Sequence, residues 1–506
     1  KKAPDYLLAG REMNPLVMAF SYGATFISTS AIIGFAGAAG MFGFPLLWLT
    51  FANIFVGVFL AMIFFGKRTR RMGLALNSLT FPELLGRRYE SRFIQGFSGM
   101  IIFVFIPFYS AAVLIGISRM IEVSLHIPYN LTLVVVTLIL AVYVITGGLK
   151  AVMYTDAFQG FIMALMMVIL LLHTYSLLGG VIPAHQALTD MAHLMPQELQ
   201  KGGMEGWTQG TKFGSPLWLT IYTTIVYGVG IGVLAQPQLV IRFMTVSSDR
   251  ELNRAILYGG IFILLMTGVA YIVGSLSNAV FHQMFDKISI QMANGNIDKI
   301  MPVYIEKIMP SWFSALFLLA MFAAAMSTLS SQYHTGGTSL GRDFCEQSLR
   351  ASREGSITTT RVGVCAAILA TLLWAWCLPT SIIARATAFF FGLCAASFLP
   401  IYLFGLYWRG ITKAAAIASL TGGFVVSMFW LVFVHKKEAE ALGICKAVFG
   451  KTTLTAGMAK GSWLWLLQWV DPNVVALPIS LVLAVVISLV SKKYDQNHLD
   501  YCWSNF

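Results

Sequence analysis

The chain has 506 residues, 57% hydrophobic and 11% charged, with a formal net charge of +12. A soluble domain carries about 25% charged residues, so the composition excludes a soluble globular protein and points to a lipid bilayer. The positive excess does not indicate a nucleic-acid partner, because the basic residues lie between apolar runs rather than on a solvated domain.

Twelve apolar runs can be marked in chain order, at about 15–39, 45–66, 93–122, 128–147, 152–178, 215–241, 253–281, 311–341, 358–378, 382–408, 412–435 and 474–491. Each is long enough, or nearly so, to cross a bilayer as a helix, and none shows the strand-length alternation of a membrane barrel. They are spans one to twelve below. Basic residues gather in alternate connections: Lys67 to Arg92 after span two, Lys150 after four, Arg242 to Arg254 after six, Arg342 to Arg361 after eight, Arg409 and Lys413 after ten, Lys492 and Lys493 after twelve. The positive-inside rule makes that face cytoplasmic, with residues 1–11 on it. The longer loops 179–214, 282–310 and 436–473 fall outside as small subdomains. The six cysteines have no CxxC or metal-type spacing and argue no disulfide framework.

Two spans carry dense glycine. Span one reads AIIGFAGAAGMFG and span six reads YGVGIGVLAQP. Glycine costs a helix about 1 kcal/mol relative to alanine, so both stretches invite unwinding. The plainer alternative is close packing through small residues. The two stretches stand five spans apart, in corresponding places of two halves, as expected of a transporter with its site at the membrane midplane.

Span eight contains AMSTLSSQY, residues 325–333, where a run of apolar residues gives way to Ser327, Thr328, Ser330 and Ser331. A hydroxyl in hydrocarbon is costly unless it is paired. Ala324, Ser327 and Thr328 share one face at spacing i, i+3, i+4. With the carbonyls of Ala24 and Ile27 near the loosened part of span one they supply five neutral oxygens, a set suited to a small hard monovalent cation. The competing reading is that each hydroxyl bonds its own helix. Asp156 lies a few residues into span five, either as a complement to the helix dipole or, with Ser28, Ser330 and Ser331, as part of a second cation site. Proton coupling needs a titratable group in the pathway, and hydroxyls and carbonyls do not titrate near neutrality. Sodium is therefore the expected ion.

The stretches GATFISTSAIIGFAGAAG, TGGLKAVMYTDAFQG, GVGIGVLAQPQLVIRFMT, AAAMSTLSSQ and LPIYLFGLYWRGITKAAAIASLTGG, in this order, resemble the signatures of the sodium/solute symporter family. The resemblance runs from about residue 5 to 435. It implies an all-α integral membrane protein with a LeuT-type 5+5 inverted-repeat helix bundle and additional C-terminal helices. The repeats would cover about 15–178 and 215–408 within a core of 1–435, and residues 436–506 would add an extracellular loop and a final helix. Members of the family usually carry one more helix upstream of span one. The resemblance places the main sodium site on Ala24, Ile27, Ala324, Ser327 and Thr328, the set reached from spacing, and an optional second site on Ser28, Asp156, Ser330 and Ser331. One hydroxyl position of that second set is Ala31 here.

The expected function is sodium-coupled symport of a small organic solute by alternating access, in the inner or plasma membrane, by a chain working as a monomer. Spans two, three and six offer Asn53, Phe105, Phe108, Tyr109, Tyr222, Thr223 and Tyr227 for a small, mostly apolar pocket. A sugar would need many placed donors and acceptors, so a small monocarboxylate is the first expectation and a proline-like amino acid the second. The competing classes are a transporter-like sensor domain, a channel and a membrane enzyme. No HExxH or P-loop pattern supports an enzyme.

Overall fold

The computed structural model describes residues 15–146, 149–246, 248–348 and 357–505, with the side chains of 15–16, 146–155, 348 and 357 left out. Residues 1–14 and the expected cytoplasmic cations Lys150, Arg350 and Arg353 fall outside the described residues or side chains. The described residues are almost wholly helical. In lipid, a helix is one of the two ways a chain can satisfy its own backbone.

All twelve apolar runs are helices. Span one is Val17–Phe26 followed by Ser30–Phe42, bent by 51°. Span two is Phe44–Ala75, three Arg92–Leu125, four Tyr129–Thr146, five Leu149–Leu177 and six Pro216–Ala235. Span seven is Asp249–Phe285, eight Ser311–Gln347, nine Ile357–Cys377, ten Ile383–Tyr407, eleven Lys413–Val434 and twelve Pro472–Val490. Hydroxyl and carboxylate caps set several starts. Ser91 accepts from Ile94 N, Ser248 from Glu251 N, Thr412 from Ala415 N and Asp471 from Asn473 N. Rows such as Phe51, Phe55 and Phe59 on span two, or Leu138, Ile139 and Val142 on span four, stay exposed as a lipid-facing belt.

Polar contacts between connections sort the two faces. On one face, Arg70 pairs with Asp249 at 3.1 Å, Arg342 with Glu83 at 3.2 Å and Arg409 with Asp500 at 3.2 Å, while Lys413 Nζ donates to the Glu90 carbonyl at 2.7 Å. These contacts join the connections after spans two, six, eight, ten and twelve. On the other face, Phe44 N donates to Trp207 O at 2.7 Å and Lys299 pairs with Glu122 at 3.1 Å. The alternation seen in the charges is thus the alternation of the fold. The expected outer subdomains are short helices, among them Val181–Asp190, Ile300–Ile308 and Lys436–Leu442.

The helix breaks do not sit on the glycines. Span one breaks at Ile27–Ser28, and Gly34 and Gly37 lie in the helix beyond it. A Cβ on Gly34 would stand 2.3 Å from the Ile383 side chain, so its job is to let span ten approach. In span six, Gly232 meets the Phe391 carbonyl, 2.5 Å from where a Cβ would be. The helical path is interrupted later, at Gln236 (φ −70°, ψ 115°), and resumes as Pro237–Phe243. Pro237 explains that interruption, since it restricts Gln236 to extended geometry and supplies no N–H.

Candidate functional site

The break in span one faces the hydroxyl run of span eight. Ile27 N closes the last turn onto Gly23 O at 2.7 Å, and the helix restarts when Ala31 N and Ile32 N both bond Ser28 O, at 3.0 and 3.2 Å. Two carbonyls at the end of the first half, Ala24 and Thr25, accept from Thr328 Oγ1 at 3.4 and 3.2 Å. Ala324 and Ser327 lie on the same face of span eight, both buried. Ser327 Oγ has no hydrogen-bond partner, although it faces the Asp156 carboxylate. A buried orphan hydroxyl beside a broken helix is an oxygen available to a ligand. The donor set is neutral apart from Asp156, which suits a monovalent ion better than a divalent one.

The second expected set is arranged differently. Ser28 Oγ pairs with Ser30 Oγ at 2.6 Å, and Ser330 Oγ donates to Ser327 O at 3.0 Å. Asp156 and Ser331 instead meet the guanidinium of Arg242. Its Nη2 lies 3.1 Å from Asp156 Oδ2 and 2.9 Å from Ser331 Oγ, and it also donates to Thr25 Oγ1. Arg242 is 1% exposed, so it is not one of the solvated cytoplasmic cations. A buried guanidinium needs a paired carboxylate, and Asp156 supplies it. Ser21, Thr25 and Arg242 were not among the expected site residues. A polar residue in an apolar span was the available signal for the first two.

A small cavity lies just beyond the break. Phe26, Ile27, Ser30 and Ala31 of span one line it with Asn53, Tyr109, Val229, Tyr271, Thr387 and Phe391, and about 20 Å³ is open to a water centre. That is room for one water. No basic or acidic side chain lines it. Tyr109 faces Ser28 and Ser30, and Asn53 faces the Tyr271 hydroxyl with its own Oδ1 unpaired. Of the expected solute residues, Asn53 and Tyr109 come together here. Phe105 and Phe108 point away, packing with Phe389 at 5.7 and 5.4 Å between ring centres. Tyr222 packs with Trp218 in a tilted pair at 5.2 Å between ring centres, Thr223 Oγ1 accepts from Asp471 N at 3.0 Å, and Tyr227 is half-buried outside the cavity lining.

The sequence pattern of the sodium:solute symporter family matches residues 6–423. A sodium/proline symporter of Staphylococcus aureus (strain bovine RF122 / ET3-1) is 26% identical over 447 residues, covering 85% of this chain and 81% of the relative. A sodium/pantothenate symporter of Haemophilus influenzae is 27% identical over 427 residues, covering 83% and 82%. Among solved structures, a Na+-coupled sialic acid symporter in a substrate-bound, outward-open state aligns with TM-score 0.71 at 17% identity, over 98% of this chain and 94% of that one. The nucleobase-cation-symport-1 transporter Mhp1 in a closed conformation aligns at 0.51 and 14% identity, over 99% and 98%. These likenesses show the fold, which is of the LeuT type.

Proposed function

The chain belongs to the sodium:solute symporter family, and from that premise we propose that sodium binds where span one breaks against span eight and that the solute is a small monocarboxylate. The sodium ligands are the carbonyls of Ala24, Ile27 and Ala324 and the hydroxyls of Ser327 and Thr328. The observation that carries the reading is the position of Ile27. It closes the last turn before the break, the turn whose Ala24 and Thr25 carbonyls accept from Thr328, and it also lines the cavity. Ordering that turn for the ion therefore orders one wall of the solute site, and the reverse, which is a reciprocal coupling free energy.

The cavity holds one water as it stands and must widen to admit any solute; its uncharged wall supports a solute whose charge is met elsewhere, by the ion. Proline and pantothenate, the solutes named for the relatives, each carry a carboxylate. Proline also carries an ammonium group, for which the cavity has no carboxylate partner. Spans one to ten form the two repeats, about 15–178 and 215–408, within a core of 1–435. Residues 436–506 add the outer loop and span twelve. Spans one, two, six and seven rock against three, four, eight and nine around the site. The test is uptake into proteoliposomes of labelled acetate, lactate, pyruvate, proline and pantothenate under a sodium gradient, with potassium as control. Sodium-dependent accumulation of a monocarboxylate supports the reading. Accumulation of proline alone overturns the solute assignment and leaves the ion site standing.

A further inference from the structure

Arg242 is buried where spans one, five, six and eight meet. It stands on Pro237–Phe243, the half of span six beyond the break. Its Nη2 is surrounded by oxygens from spans five, eight and one: Asp156 Oδ2 at 3.1 Å, Ser331 Oγ at 2.9 Å and Thr25 Oγ1. Nε donates to Ser21 Oγ at 3.2 Å, and that hydroxyl donates to Asp156 Oδ2 at 2.9 Å. Nη1 donates to Gln238 O at 3.0 Å. A carboxylate and hydroxyls converging on one positive centre is the ligand chemistry of a hard cation.

We propose that Arg242 is a tethered cation standing in for a second sodium, so that this chain moves one sodium per solute. The proposal rests on the sodium site at Thr328 being the coupling site. Two observations carry it. First, the guanidinium already neutralises Asp156, both side chains being buried to within 1%. A sodium bound to that carboxylate would lie roughly 4 Å from the guanidinium, and like-charge repulsion at that distance weakens binding on the order of 10³-fold. Second, Ser28 and Ser330 spend their hydroxyls on Ser30 Oγ and the Ser327 carbonyl rather than facing Asp156. Arg242 is therefore a stoichiometry-determining residue, acting through Asp156.

The experiment is equilibrium binding of ²²Na⁺ to the purified full chain, comparing wild type, Arg242→Gln and Asp156→Asn/Arg242→Gln. The expected counts are one, two and one. Neutralising Arg242 unpairs a buried carboxylate that then recruits sodium, and neutralising both removes that demand. Two equivalents in the wild type, or one in Arg242→Gln, overturns the proposal. Should Arg242→Gln not fold, the wild-type ratio of sodium to solute flux decides, one supporting the proposal and two overturning it. No binding in the wild type with one equivalent in Arg242→Gln overturns the Thr328 site while supporting the role of Arg242.

Discussion

Thr328 Oγ1 reaches the carbonyl of Ala24 at 3.4 Å, across the end of the first half of span one. One hydroxyl thus ties span eight to the last turn before the break in span one. Removing it takes away the contact between spans one and eight and, on the proposed reading, an ion ligand. Thr328→Ala is expected to raise the sodium concentration for half-maximal uptake on the order of tenfold or more, the equivalent of about 1.4 kcal/mol. Thr328→Ser, which keeps the oxygen, is expected to stay near wild type. Sodium titrations of uptake check this, and equal curves for all three proteins would remove Thr328 from the site.

Solute charge and stoichiometry together decide whether voltage matters. One sodium with one monocarboxylate is electroneutral, so a tenfold sodium gradient of about 1.4 kcal/mol supports about tenfold accumulation. One sodium with a zwitterion carries net charge, and −100 mV then adds about 2.3 kcal/mol. An inside-negative potential imposed on proteoliposomes is expected to leave uptake unchanged. Stimulation by the potential would point to a zwitterionic solute or a second sodium.

Gly232 shows where packing has no slack. Its missing Cβ would lie 2.5 Å from the carbonyl of Phe391, which is backbone and cannot rotate aside. Gly232→Ala is expected to destabilise the protein by about 1–3 kcal/mol, read as a lower melting temperature in detergent. Gly260→Ala, whose nearest neighbour is Val58 at 3.8 Å, is the control and is expected to stay near wild type.

Outside the membrane, Asp298 ties the loop after span seven to the start of span ten by accepting from Ile382 N at 3.1 Å. Burial pushes its carboxyl up to about 6, against the pull of the Ile382 and Ile383 backbone N–H groups, Arg119 and Arg385. The folded value lies above the unfolded one, so the folded state holds the extra proton between pH 4 and 6. This contribution to stability is full below about pH 4, falls as pH rises to 6 by up to about 3 kcal/mol, and is flat above. Asp298→Asn is expected to remove that part of the slope in melting temperature against pH. An unchanged slope would assign it to other groups.

The spans were legible because lipid imposes a length and an apolar composition on each, and the alternation of the connections because cations gather in every second one. Ser327 and Thr328 were legible because hydroxyls in an apolar helix need a partner. The position of the break in span one was not. It falls at Ile27–Ser28, without a glycine, where the Thr328 hydroxyl takes up carbonyls of the preceding turn from a distant span. Arg242 was misassigned because its sequence neighbours are loop cations, while its partner Asp156 lies 86 positions away. Phe105 and Phe108 share span three with Tyr109 but not its inward face, and composition alone does not fix that rotation.

The most direct test of the coupling is solute binding to the purified protein at equilibrium, measured in sodium and in potassium, together with sodium binding measured with and without solute. The account expects sodium to tighten solute binding, and solute to tighten sodium binding by the same factor, with Thr328→Ala losing both effects. Solute binding that is equal in sodium and potassium would contradict it.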